Sequence, residues 1–214
     1  MLLPNERQQV VNFCQKIAKH NLTPGTTGNI STIDRERGLI AISPSGIAYE
    51  DLNQSSVVVM DLQGDVIQGK HKPSSEWPFH LQCYLNRSDV KGVIHTHSVY
   101  ATTFACLNID IEPVHYMIGF AGTKVPCVEY ARPGSQELAD KIKNSISEYN
   151  ALLMANHGLL TLGPSLESAF LTLEQVEFTA EIYYRAKSIG DPSIISDQEM
   201  LAIMEHLKVY GKED

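Results

Sequence analysis

The chain has 214 residues, 43% of them hydrophobic and 20% charged, and a formal net charge of −8. That length allows one sizeable core. The acidic balance argues against a general nucleic-acid surface, because phosphate backbones attract basic ones, although a few local donors suffice to hold one small anion.

No apolar run reaches the roughly 18–20 residues of a membrane span. The opening MLLPNERQQV has neither the basic start nor the long apolar stretch of an export signal, so a cytoplasmic protein that engages neither membrane nor nucleic acid is expected. Cys14, Cys83, Cys106 and Cys127 are scattered with no C-x-x-C pair, and read as reduced thiols acting as small buried apolar groups. No linker, repeat or low-complexity stretch interrupts residues 1–214, which predicts a single domain.

Residues 5–20 read as a helix, with Asn5 as its cap and Val10, Cys14, Ile17 and Ala18 on one face. Gly25-Thr-Thr-Gly-Asn29 is a glycine-rich turn into a strand at Ile30–Ile33, and Arg35–Gly38 turns the chain into another at Leu39–Ser43. Strands follow at Ser56–Met60 and Val66–Gln68, joined by Gln63-Gly-Asp65. Ser74 and Ser75, ahead of Glu76-Trp-Pro78, mark a helix start that runs to Asn86. A strand at Gly92–His97 and a helix at Val99–Leu107 come next, then strands at Val114–Ile118 and Val125–Val128 and a helix at Ser135–Glu148. Strands at Ala151–Ala155 and Leu159–Leu162 flank Asn156-His-Gly158, and helices at Ser165–Ile189 and Asp197–Val209 close the chain. The hairpin-like connections predict an α/β protein with a largely antiparallel sheet covered by helices.

Side chains two apart on a strand face the same way, so His95-Thr-His97 aims two imidazoles at one place. Neutral imidazole is a common zinc ligand, yet two histidines satisfied by core groups, or simply exposed, would show the same spacing. His157 shifts the balance towards a metal. It stands at a tight turn beside Gly158, where a strand-end histidine can reach a neighbouring strand, and three histidines with one exchangeable position are a common catalytic zinc arrangement. Glu76 could fill the fourth position, although from spacing alone an ordinary helix N-terminal carboxylate reads the same way. Gly28-Asn29, Ser45-Gly46 and Ser74-Ser75 are polar stretches able to hold a phosphate through close backbone approach, hydroxyls and a helix N-terminus. Singly, each is a plain turn or cap. His20, His71, His80 and His206 have no partner that the sequence names. His115 reads as packing beside Tyr116, Trp77 as a core or interface aromatic, and Glu174, Glu177 and Glu181 as a solvated helix face.

In order, Gly25-Thr-Thr-Gly-Asn29, Ser43-Pro-Ser-Gly46, Pro73-Ser-Ser-Glu76, His95-Thr-His97, His115-Tyr-Met-Ile118 and Asn156-His-Gly158, with Pro126-Cys127 and Tyr210-Gly211, resemble the class II aldolase and adducin-head family over essentially the whole chain. The resemblance implies a central sheet between helical layers and a fourfold-symmetric homotetramer with active sites between neighbours. It implies one Zn2+ per subunit on His95, His97 and His157, with Glu76 as both ligand and acid/base group. Gly28, Asn29, Ser45, Gly46, Ser74 and Ser75 would bind the phosphate of a small sugar phosphate. Tyr116 would act from a neighbouring subunit, and Tyr210 would belong to a C-terminal tail that closes over substrate.

The implied activity is cleavage of L-fuculose 1-phosphate, or a close ketose 1-phosphate, to dihydroxyacetone phosphate and a short aldehyde, L-lactaldehyde for the first. A 5-deoxypentulose-1-phosphate aldolase would use the same groups. Pentulose-5-phosphate 4-epimerases usually carry aspartate where Glu76 stands, and phospho-oxo-acid decarboxylases tend to carry lysine where Ser75 stands. A dehydratase of a thio-sugar phosphate shares the scaffold, and adducin heads keep the fold as non-catalytic binding modules, from which a complete ligand set separates this chain. One departure from the fuculose-phosphate branch is Arg132-Pro133 before Gly134, where that branch has Thr-Phe. The resemblance implies that this segment lies towards the aldehyde side and bears on aldehyde preference, whereas from the sequence alone Arg132 reads as a surface arginine, the more common case.

Overall fold

The computed structural model describes residues 1–207. Helix α1 (Pro4–Lys19) leads into strands β1 (Asn29–Asp34), β2 (Leu39–Ile42), β3 (Val58–Asp61) and β4 (Val66–Gln68). Then come α2 (Trp77–Asn86), β5 (Gly92–Thr96), α3 (Val99–Leu107), β6 (Cys127–Val128), α4 (Gln136–Ser145), β7 (Ala151–Met154), β8 (Gly158–Gly163), α5 (Leu166–Ile189) and α6 (Asp197–Leu207). The strands form one sheet in the order β4-β3-β2-β1-β5-β8-β7-β6. Every pairing is antiparallel except β6 with β7, which bears out the expected α/β class and its largely antiparallel sheet.

Helices cover both faces. Ile30, Ile94, Leu153 and Leu159 pack towards α1, α3 and α5, while Val93, Leu152, Leu160 and Leu162 pack towards α2 and α4. Burial on both sides explains why β7 (ALLM) and β8 (GLLTLG) are almost continuously apolar rather than alternating. Each such Leu contributes about 1.5–3 kcal/mol when fully buried, so the central strands offer a well-packed base on which to mount a site.

Some local expectations fail. Asn5 does not cap α1; the cap is Leu3, in the left-handed region at φ 51°, with Pro4 in the first turn and no side-chain cap bond. The strand expected at Val114–Ile118 is instead a 3₁₀ helix at Tyr116–Phe120. His115 turns the chain, its side chain accepting from the Met117 amide and its carbonyl from the Ile118 amide. Ile118 is buried against helices rather than in a ladder, and Gly119 lies under Met200 and Ile203 of α6. Only Cys127–Val128 of the next expected strand joins the sheet, Val125 bridging to Ile111. All four cysteines are free, as expected, but Cys106 is exposed and Cys127 half-buried. Among the described residues no helix is long and apolar enough to cross a membrane. Tyr210 lies outside the described residues.

Candidate metal centre

The site sits where the ends of three adjacent central strands meet the start of α2. On β5, His95 is paired with Asn29 of β1 on one side and Leu160 of β8 on the other. His97 follows just past the strand end. His157 precedes β8 on a turn that Asn156 makes possible by adopting φ 54°, a conformation asparagine tolerates better than most residues. Gly158 is a packing necessity, since a Cβ there would lie 2.5 Å from the Thr96 carbonyl oxygen and 2.9 Å from the His97 ring. Glu76 is the residue capping α2, but its carboxylate does not cap; it turns inward to the histidines.

The His95 Nδ1 donates to the Leu159 carbonyl at 2.9 Å, so its Nε2 carries a lone pair. That Nε2 lies 3.1 Å from the Nε2 of His97 and 3.3 Å from Glu76 Oε2, while His157 Nε2 lies 3.1 Å from Glu76 Oε1. Ligand atoms of the three histidines all fall within 4.8 Å of one another. Glu76 Oε1 is buried and has no hydrogen bond. Burial pushes the His95 imidazole down to about 3 and lowers His97 as well, so both are neutral at physiological pH. Burial alone would raise the Glu76 carboxyl, but the His95 and His157 side chains and the Asn29 amide hold it below the usual carboxylate range. Three imidazoles, one anionic carboxylate and a buried carboxylate oxygen without a hydrogen bond form a donor set that fits a divalent cation such as Zn2+, and Glu76, His95, His97 and His157 would hold it.

Beside these groups opens a cleft of about 490 Å³. Its walls include Gly28, Asn29, Ser45, Gly46, Ser74 and Ser75 along with Glu76, His97 and His157, so all six prospective phosphate donors share one opening. Backbone pairing brings two of the polar stretches together: the Ser45 amide donates to the Lys72 carbonyl and the Ser74 amide to the Ser43 carbonyl, each at 3.0 Å. Asn29 joins them by donating to Glu76 Oε2 at 2.8 Å. Pro133 also lines the cleft, and the adjacent Gly134 approaches the Ser75 carbonyl so closely that a Cβ would come within 2.9 Å. Tyr116 does not reach this cleft; it is 46% exposed and packs beside His115, ring centroids 4.8 Å apart.

Three side chains left without partners by the sequence have them in the fold. His20 pairs with Glu174 at 3.2 Å. His80 is buried, its Nε2 lying 2.5 Å from Asn29 Oδ1 and its Nδ1 2.7 Å from Ser31 Oγ. Glu177 is not part of a solvated face, because its two oxygens accept from the Tyr100 and Ala101 amides at the start of α3. The available signal for His80 was its spacing of four from Glu76 on one helix; nothing local pointed to Glu177.

The profile of the Class II Aldolase and Adducin N-terminal domain family matches residues 8–184. Over 213 residues, 100% of both chains, the sequence is 42% identical to a 5-deoxy-D-ribulose 1-phosphate aldolase of Bacillus thuringiensis serovar kurstaki. It is 36% identical to an L-fuculose phosphate aldolase of Escherichia coli K12 over 95% of this chain and 94% of that one. A solved L-fuculose 1-phosphate aldolase structure matches with a TM-score of 0.93 and 41% identity, covering 97% of this chain and 98% of that one. With the sheet order, the inward-facing histidines and similarity along the whole length all in agreement, the chain belongs to the class II aldolase and adducin family.

Proposed function

We propose that this protein is a zinc-dependent lyase that splits a ketose 1-phosphate between C3 and C4 into dihydroxyacetone phosphate and a short aldehyde. The observation carrying this reading is the shared cleft, in which Glu76, His97 and His157 adjoin six prospective phosphate donors. Hydroxyls of Ser45, Ser74 and Ser75 and backbone groups of Gly28, Asn29 and Gly46 would hold the phosphate. Bound Zn2+ would supply Lewis-acid stabilisation of charge developing on the substrate's carbonyl and neighbouring hydroxyl oxygens. In cleavage the C4 hydroxyl loses its proton and becomes the aldehyde carbonyl, while the electrons of the C3–C4 bond remain with C3. Glu76 delivers a proton to C3, and in condensation it removes that proton. Tyr116 would take and return the C4 hydroxyl proton. Its exposed position away from its own chain's cleft supports action from a neighbouring copy in a homotetramer. The free cysteines accord with a cytoplasmic setting.

The first reading of the substrate is L-fuculose 1-phosphate, which yields L-lactaldehyde. A second, 5-deoxyribulose 1-phosphate, yields acetaldehyde, and is favoured by the 42% identity to a relative of that name and by Pro133 in the cleft wall. The test offers the zinc-loaded protein dihydroxyacetone phosphate with a panel of aldehydes and determines product configuration. Condensation should disappear on exhaustive chelation and return with zinc. Full activity in protein shown metal-free by elemental analysis would sink the metal-dependent reading.

A further inference from the structure

Behind the histidines runs a second line of buried polar groups. Asn29 and Ser31 lie two apart on β1, and Glu76, His80 and Tyr84 follow at intervals of four from the cap of α2. Two strand residues advance about 6.6 Å and four helix residues about 6 Å, so the two rows interleave. Asn29 Nδ2 is 2.8 Å from Glu76 Oε2 and His80 Nε2 is 2.5 Å from Asn29 Oδ1. Ser31 Oγ is 2.7 Å from both His80 Nδ1 and the Tyr84 hydroxyl. All five residues are buried, none more than 6% exposed.

The row has one direction. A carboxylate only accepts, so Asn29 presents its NH2 to Glu76 and its carbonyl oxygen to His80. That oxygen requires a donor, which fixes the His80 proton on Nε2. Nδ1 then accepts from the Ser31 hydroxyl, whose oxygen accepts from Tyr84. The opposite His80 tautomer would set a lone pair against the Asn29 carbonyl and favour turning that oxygen on to the Glu76 carboxylate. As built, the row ties down Oε2, whereas Oε1 lies outside the row, 3.1 Å from His157 Nε2 and without a hydrogen bond of good geometry.

We propose that His80 is a positioning residue: by holding the Asn29 amide in one orientation it tethers Glu76 Oε2 and leaves Oε1 as the oxygen that handles the proton at the substrate carbon. This rests on Glu76 being the acid/base group.

The readout is exchange of the carbon-bound proton of dihydroxyacetone phosphate with deuterated solvent, per folded molecule of the zinc-loaded protein. His80→Phe keeps a ring to stack on Phe79, whose centroid lies 4.8 Å away, but offers Asn29 no donor. His80→Asn retains a polar group only near Nδ1, and His80→Gln restores a donor near Nε2. The first two variants should slow exchange by about 10–100-fold, the range for residues that orient metal-site groups, through kcat rather than KM. His80→Gln should recover most of the rate, and inorganic phosphate should bind all three as it binds the wild type. In Asn29→Ala/His80→Phe the loss should be no larger than in Asn29→Ala alone. Nitrogen-15 NMR should report the Nε2-protonated tautomer of His80. Wild-type exchange in His80→Phe, or in His80→Asn where the Phe variant does not fold, would overturn the proposal; so would multiplied losses in the double variant or the opposite tautomer. Glu76→Gln separates the premise from the inference. Normal exchange there removes Glu76 as the acid/base group, whereas slow exchange there with normal exchange in the His80 variants removes only the role of His80.

Discussion

His95 has 0% exposure and is fixed through its Nδ1 bond to Leu159, so its free nitrogen has one direction in which to act. His95→Ala should keep the fold and lose divalent-cation binding and aldol activity together; zinc titration followed by elemental analysis checks this. Gly158→Ala should be more disruptive than its size suggests. A methyl group 2.5 Å from the Thr96 carbonyl oxygen must displace a histidine-bearing strand, at a cost of about 1–3 kcal/mol in urea unfolding and with weaker cation binding. His80 carries a pH signature. Burial pushes it down to about 3, whereas an unfolded histidine titrates near 6.5. As pH falls from about 6.5 towards 3, the unfolded chain therefore binds a proton that the folded one does not, and stability drops, by at most about 1.4 kcal/mol per pH unit for this one group. Metal-free His80→Gln should accordingly lose less stability between pH 7 and pH 5 than the wild type. The three histidines were legible because strand alternation and a strand-end turn are local properties. Glu76 was ambiguous because a carboxylate at a helix start has an ordinary purpose, and His80 had only its spacing of four from Glu76 to mark it, because its partners Asn29 and Ser31 lie on a strand far away in sequence.

Among the elements, α3 depends on a neighbour. Ser98 stands at its cap without a side-chain cap bond, and the Tyr100 and Ala101 amides are met instead by Glu177 of α5 at 2.8 and 2.9 Å. A carboxylate at a helix N-terminus also complements the macrodipole. Glu177→Ala should cost about 1–2 kcal/mol in denaturant unfolding and loosen the segment immediately after His97, with Glu177→Gln recovering part of the loss. Such a contact between α3 and α5 has no sequence signature, because an acidic residue on a long helix looks the same whether it meets water or an amide. Strands with strong β-branching, such as β3, were readable. The Tyr116–Phe120 turn was not, because its apolar residues are buried by α6 rather than by a sheet, and an apolar run alone does not say which kind of neighbour buries it.

For the whole molecule, the separation of Tyr116 from its own cleft makes assembly testable. Glu76→Gln and Tyr116→Phe should each be strongly impaired when pure. Mixed equally through unfolding and reassembly, about one quarter of sites in a cyclic homo-oligomer would join an intact Glu76 to an intact Tyr116. Activity should then rise well above the parental mean; no rise, once mass spectrometry shows mixed oligomers, would restrict Tyr116 to its own chain or to no role. The prospective cation ligands come from separate stretches of sequence: Glu76 precedes α2, His95 lies on β5 with His97 just past its end, and His157 precedes β8. A cation held by all four acts as a reversible cross-link between stretches far apart along the chain. At one hundred times its dissociation constant it would stabilise the fold by about 2.7 kcal/mol. The urea midpoint should therefore rise with free cation concentration, and the folded fraction of the chain would then report how well the cell supplies that cation.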